Sequence, residues 1–326
     1  MKRIFKISGA VLIVLSFLIL AVITYINIGF PNVDPPKELT VEITPERLER
    51  GEYLANHVTV CMDCHSERDW SKFSGPIKSG TLGKGGDKFD HSMGFPGIIY
   101  AKNITPTVLS EWSDGELLRT ITMGVTKNND PLFPLMPYYA YNNLTEEDAF
   151  SIVAYIRTLK PLDGSYPAQN LDFPLNLIVR TMPIKSYDGK SKIDKNNKLE
   201  YGKYLTTIAA CADCHTPIEE GEPIPNMEFA GGNEYRLPGG VLRSVNITPH
   251  ETNGIGSWTE DTFIQRFKMY DPDSSNYIPT KMNDFNTIMP WTMYAGMTKE
   301  DLSAIYTYLR SVKPNANLVE RWDPKM

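Results

Sequence analysis

Cys61-Met62-Asp63-Cys64-His65 and Cys211-Ala212-Asp213-Cys214-His215 are two copies of one pattern, Cys-x-x-Cys-His. This is the attachment sequence for c-type haem. Its spacing has a chemical reason. Two thiols add across the two vinyl groups of one porphyrin, and the adjacent histidine is then held under the iron as its proximal ligand. The chain has four cysteines, and all four lie in these motifs. Zinc ribbons place their Cys-x-x-Cys halves about 15–20 residues apart; here they are 150 apart (211 − 61). A thioredoxin-like motif needs a βαβ context, and the sequence offers none. The expectation is two covalently attached haem c groups, on Cys61 and Cys64 and on Cys211 and Cys214, with His65 and His215 on the irons.

The N-terminus bears on where such groups would sit. Lys2, Arg3 and Lys6 precede an apolar stretch from Ile7 to Phe30. As a helix it would span about 36 Å at 1.5 Å per residue, against about 30 Å for a bilayer core. It exceeds an ordinary signal-peptide core, and no Ala-x-Ala cleavage site follows. We read residues 1–6 as a cytoplasmic tip and 7–30 as a transmembrane signal anchor. The positive-inside rule then puts the remainder in the periplasm, on the outer side of the cytoplasmic membrane. The alternative is a cleaved signal peptide. The proline-rich residues 31–44 read as a stiff spacer.

The chain is also an internal repeat. Leu48-Glu49-Arg50-Gly51-Glu52-Tyr53-Leu54 matches Leu199-Glu200-Tyr201-Gly202-Lys203-Tyr204-Leu205, and Asn103-Ile104-Thr105-Pro106 matches Asn246-Ile247-Thr248-Pro249. Trp112 and Trp258 follow. From Met136-Pro137 and Met289-Pro290 the copies align without a gap to Pro161 and Pro314, with 11 of 26 positions identical. This places two domains at 45–161 and 195–314, a linker at 162–194 and a tail at 315–326. A net charge of −6 makes nucleic acid an unlikely partner and favours a basic docking face on a redox partner.

Each copy reads as helices joined by long loops. Thr44-Pro45 supplies an N-cap and a proline at the first helical position. Thr145-Glu146-Glu147-Asp148 and Thr298-Lys299-Glu300-Asp301 resemble capping boxes with Asp at the third position. Gly51 and Gly202 sit where a first helix can let another pass closely, with Tyr155 and Tyr308 opposite. The Gly-rich segments 74–100 and 221–242 are expected as loops.

The sixth iron ligand is selected by the repeat. Of thirteen methionines, only Met136 and Met289 occupy equivalent positions, each before a proline. A thioether ligand raises the reduction potential and fills the open site; the alternative is core packing. His57, His91 and His250 have no counterparts. The Asn-x-Thr triplets at Asn103 and Asn246 match a glycosylation acceptor, but their repetition favours a structural role. The indoles of Trp112 and Trp258 are donors that could meet a haem propionate, or are core aromatics.

The ordered series from Cys-x-x-Cys-His through Asn-Ile-Thr-Pro, Trp, Met-Pro, Tyr, Thr-x-Glu-Asp and Tyr-[Ile/Leu]-Arg to Lys-Pro, present twice, resembles the multihaem cytochrome c subunits of bacterial membrane-bound alcohol and gluconate dehydrogenases. The resemblance covers nearly all of 45–314. It implies a mainly α chain: two tandem class I cytochrome c domains with long loops after one N-terminal transmembrane helix. It implies His/Met ligation at His65/Met136 and His215/Met289. It also implies electron relay, without catalysis, from a dehydrogenase or quinol-oxidising complex toward a terminal oxidase. Those subunits carry three haem domains where this chain shows two. A dihaem peroxidase is the alternative from another class; it would need one open iron.

Overall fold

The structure, a computed structural model, describes residues 2–271, 278–281 and 283–324. Met1 of the expected tip and Lys325–Met326 of the expected tail lie outside them. Helix α1 (Lys2–Gly29) carries the apolar run. It stops at Gly29, ahead of Pro31, which cannot donate to a continuing helix. Its span Ile7–Gly29 has the length and composition to cross a bilayer, and none of its residues is buried in the rest of the molecule.

Four helices carry the repeat: α2 (Pro45–Tyr53), α3 (Glu146–Thr158), α4 (Lys198–Ile208) and α5 (Lys299–Ser311). Helix α2 crosses α3, and α4 crosses α5. The crossings are where the sequence puts them. A Cβ on Gly51 would lie 1.9 Å from the Ser151 carbonyl oxygen, and one on Gly202 would lie 1.9 Å from that of Ala304. Tyr155 and Tyr308 flank these points. Only a residue without a side chain allows backbones to approach so closely.

The helix starts follow their caps, with one correction. The Thr44 hydroxyl accepts from Arg47 N–H, with Pro45 at the first position. The Thr145 and Thr298 hydroxyls accept from Asp148 and Asp301 N–H, both at 3.1 Å. The expected return bonds from the aspartates to the cap N–H groups are not made. The Thr298 N–H donates instead to the Tyr53 hydroxyl at 3.1 Å, and that hydroxyl donates to Asp301 at 2.6 Å. Reciprocally, Thr145 N–H donates to the Tyr204 hydroxyl at 3.2 Å, which donates to Asp148 at 2.6 Å. Asp is one methylene shorter than the Glu of a full box, and the tyrosine fills the gap. A complete box occurs at Ser113 and Glu116, opening helix Asp114–Met123 just after Trp112.

Each copy thus caps a helix of the other, and one hydrophobic core runs through both, from Leu54 and Ile152 to Leu205 and Leu302. The copies differ at one helix end. Helix α2 continues as a π-turn, Leu54–Val58, whereas α4 reaches Ile208 as regular α-helix. Tyr53 to Cys61 is eight steps (61 − 53), and Tyr204 to Cys211 is seven (211 − 204). The π-turn absorbs the extra residue and carries His57, whose Nδ1 donates to the Met293 carbonyl of the other copy at 2.9 Å.

The segments expected as pure loops contain small antiparallel sheets, a second correction. β1 (Lys88–Phe89), β2 (Gly97–Tyr100) and β3 (Asn170–Leu171) form one. β4 (Ile218–Glu219) pairs with β5 (Glu222–Pro223). β6 (Glu234–Leu237), β7 (Gly240–Arg243) and β8 (Trp322–Pro324) form the third. Glycines punctuate these stretches, but short apolar runs such as Gly97-Ile98-Ile99-Tyr100 between them suffice to pair.

Candidate haem sites

The two Cys-x-x-Cys-His turns are built alike. Val60 and Ala210, each just before the first cysteine, have left-handed φ of 45° and 52°. For a β-branched valine this conformation is strained, and strain of this kind gathers at functional sites. It turns the chain into the short helices Cys61–Cys64 and Cys211–His215.

The histidines are oriented by equivalent partners. His65 Nδ1 lies 2.7 Å from the Lys102 carbonyl oxygen, and His215 Nδ1 lies 2.7 Å from that of Val245. A carbonyl only accepts, so each Nδ1 carries the proton and each Nε2 keeps its lone pair. Burial holds both imidazoles below the usual histidine range, opposed by that hydrogen bond. A neutral imidazole with its outer nitrogen tied to a carbonyl is the form that binds a metal.

Lys102 and Val245 are the residues immediately before Asn-Ile-Thr-Pro, and this explains the motif. Asn103 Oδ1 accepts from the N–H and hydroxyl of Thr105, while Nδ2 donates to the Leu162 and Gly164 carbonyls. Asn246 does the same with Thr248 and the carbonyls of Asn315 and Asn317. Both asparagines are buried, so neither triplet is a glycan acceptor. The motif ties the strand behind each histidine to the chain leaving the Lys-Pro helix end.

The Met-Pro loops are tied back in the same paired way. Five residues after each methionine, the Tyr141 hydroxyl donates to the Thr59 carbonyl at 2.6 Å and the Tyr294 hydroxyl to that of Ala209 at 2.9 Å. Those carbonyls lie two residues before Cys61 and Cys211. Arg157 binds the Leu109 and Trp112 carbonyls, and Arg310 binds that of Gly256, holding the two tryptophan segments. Sequence reasoning missed the roles of Lys102, Val245, Tyr141 and Tyr294. Their fixed offsets from motif residues were the available signal.

One cavity of about 2580 Å³ connects the motifs. Cys61, Cys64, His65, Trp112 and Met136 line it, and it reaches Cys214 and Tyr294 of the second copy. Met289 is half-buried against the core, between Ile288 and Pro290, which do line the cavity. Trp258 packs on the core and lies off the cavity wall. His215 is buried and Cys211 half-buried. The remaining histidines are engaged elsewhere: His91 with Asp172 at 2.7 Å, and His250 with the N–H groups of Thr252 and Asn253.

The electrostatics of the two ends differ. Arg68 is buried in the first copy. It pairs with Asp63 at 2.9 Å, donates to the Ser74 and Gly75 carbonyls and lies 4.2 Å over the Trp70 ring. Burial pushes Asp63 up to about 6 and Asp87 up to about 7, opposed in both by Arg68. Ile218 stands at the matching position of the second copy. Burial also raises the cysteine thiols, Cys211 to about 12.

Residues 199–313 match the cytochrome c family model. Over 82% of its length the chain is 30% identical to a fructose dehydrogenase cytochrome subunit of Gluconobacter japonicus, covering 53% of that protein. It is 25% identical to a gluconate 2-dehydrogenase cytochrome c subunit of Pantoea cypripedii over 81% of the chain and 59% of the relative. A diheme cytochrome c-type protein of Cereibacter sphaeroides is 27% identical over 58% of the chain and 63% of its own length. The chain resembles cytochrome c subunits of dehydrogenases. It spans rather more than half the length of these relatives. A cytochrome c domain implies covalent haem c, and this chain's residues fit the group. Each thiol pair stands beside a neutral, carbonyl-tethered histidine. The cavity also exceeds the roughly 300–1,000 Å³ of ordinary ligand pockets.

Proposed function

We propose that this chain is a membrane-anchored dihaem c-type cytochrome. It relays single electrons on the periplasmic side between a dehydrogenase or quinol-oxidising complex and a terminal oxidase or other acceptor. The observation that carries this reading is duplication of the whole constellation. Both histidines are tethered at Nδ1 to equivalent carbonyls, and both Met-Pro loops are tied by equivalent tyrosines to the approach to the cysteines. In this reading 45–161 and 195–314 are two cytochrome c domains. Cys61 and Cys64, and Cys211 and Cys214, hold two haem c groups. His65 with Met136, and His215 with Met289, close the irons. Trp112, on the cavity wall, is the better placed of the two tryptophans to meet a propionate.

When bound, haem supplies a reversible one-electron couple. The chain's contribution is positional. It fixes the imidazoles, presents a thioether that favours the reduced iron, and walls the site in low-dielectric packing. No general base or nucleophile is required. Helix α1 confines the sites to the membrane surface and so raises their effective concentration at membrane-bound partners. The peroxidase alternative is dropped, since the relatives named above are cytochromes and cytochrome subunits.

The test is a carbon monoxide difference spectrum of the reduced protein, with haem counted in the same sample. Two haems per chain with little carbon monoxide bound is the expected result. Rapid binding at one haem would indicate an open iron and overturn the relay reading, and one haem per chain would overturn the dihaem assignment.

A further inference from the structure

The linker between the copies touches the end of the membrane helix. Arg180 Nη2 donates to the Phe30 carbonyl at 2.6 Å and to that of Asn27 at 3.2 Å. Asp34 N–H donates to the Lys185 carbonyl at 2.8 Å. The helical turn Leu175–Ile178 and the 3₁₀ turn Val179–Thr181 both lie against α1. These bonds fix residues 173–182 at the level where α1 ends.

This segment is apolar on two sides. On one side Val179 is buried with Ile99 and Leu171, and Leu175 and Met182 pack against them. On the other, Phe173 is 76% and Ile178 44% exposed. On the last turns of α1, the helix this segment lies against, Tyr25 is 67% and Ile28 82% exposed. A short helical segment apolar on both faces needs a second apolar neighbour, and an uncovered cluster of large apolar side chains marks an interaction surface.

We propose that the outer face of residues 173–182 is a second membrane contact, seated in the interfacial layer of the bilayer that α1 crosses. The occupant is lipid because the face is continuous with the apolar end of α1 and is hydrogen-bonded to it at a fixed depth. Apolar side chains of an interfacial segment enter the headgroup and acyl boundary, and an aromatic ring such as Phe173 suits that layer. The consequence reaches the first haem site. Asn176, Val179, Arg180 and Met182 line the cavity from within, and the Tyr139 hydroxyl, three residues from Met136, donates to the Met182 carbonyl at 2.6 Å. One layer of chain therefore separates lipid from the cavity wall beside Met136. The first haem site is therefore the one on the membrane side.

The inference rests on α1 being a membrane anchor, and the experiment separates the two. The full chain with its haems is placed in phosphatidylglycerol-containing nanodiscs doped with a phospholipid whose diazirine sits near the headgroup. After illumination, lipid adducts are mapped by peptide mass spectrometry. Adducts are expected on α1 and on 173–182, with none around Ile218, which is half exposed in the second copy. The F173S/I178S variant should lose the adducts on 173–182 and keep those on α1, with unchanged haem content. Adducts on α1 alone would overturn the second contact while leaving the anchor standing. Adducts on neither would overturn the anchor reading and the inference with it. Retention of the adducts on 173–182 in the variant would show that Phe173 and Ile178 do not make the contact.

Discussion

The two Met-Pro loops share a sequence and a tyrosine tether, yet they lean on different things. The first rests on the linker. Gln169 bridges Pro131 and Phe133 at 2.7 and 3.0 Å, and Tyr139 reaches Met182. The second rests on the first copy. The Ser74 hydroxyl donates to the Met289 carbonyl at 2.6 Å and accepts from Trp291 N–H at 3.0 Å, while Ser74 N–H donates to Asn286 Oδ1 at 2.9 Å. Phe73 and Thr280 add backbone bonds to Ile278 and Ser71. A duplicated motif therefore does not carry duplicated support. The second site is completed by the first copy, whereas the first is completed by the linker.

The largest expected effect comes from the methionines. Met136→Ala or Met289→Ala should open one iron each. Carbon monoxide should then bind half the haem, that haem's potential should fall, and covalent attachment should persist. A variant spectroscopically identical to the parent would remove that methionine from the ligand set.

Next come the crossings. Gly51→Ala and Gly202→Ala force a methyl against a backbone carbonyl, and overpacking of this kind costs about 1–3 kcal/mol or more. Thermal melts should drop by similar amounts for the two, since the clash distances are equal. Unequal losses would mean that one crossing yields more readily.

The tyrosines test reciprocity. Tyr53→Phe should cost about 1.5–3 kcal/mol, the value of a hydrogen bond to a charged group. Tyr204→Phe should cost less, because Asp148 keeps the two bonds from Arg50 at 2.8 and 2.9 Å, whereas Tyr201 replaces that arginine in the second copy. Denaturant midpoints for both variants and the double mutant would decide.

The smallest and most selective effect is expected at Ser74. Ser74→Gly keeps its left-handed φ of 63° accessible and removes hydroxyl bonds worth about 1 kcal/mol each. The methionine-to-ferric-iron charge-transfer band should weaken at the second haem alone. Equal weakening at both haems, or none, would break the contrast between the loops.

Much of this was legible from residues. The haem motifs, the threonine caps and the glycine crossings each depend on local chemistry or on repetition that one sequence displays. The cross-copy bonds were not legible, because Tyr53 and Asp301 are 248 residues apart and nothing in the local pattern of either names the other. The π-turn left a trace, the single extra residue before Cys61, which the repeat alignment held unread. The small sheets were hidden because glycine signals turns without saying what lies between them. Ser74 had no signal at all: it lies outside the stretches that match between the two copies.

The exchange of caps between Tyr53 and Asp301 and between Tyr204 and Asp148 has the form of an isologous dimer contact, in which residue i of one unit meets j of the other and j meets i. Such a contact closes on itself. It uses the same patch from both units and leaves neither copy free to propagate the pairing to a further chain. The molecule behaves as a dimer sealed within one polypeptide, so any docking partner must use a surface outside this seam.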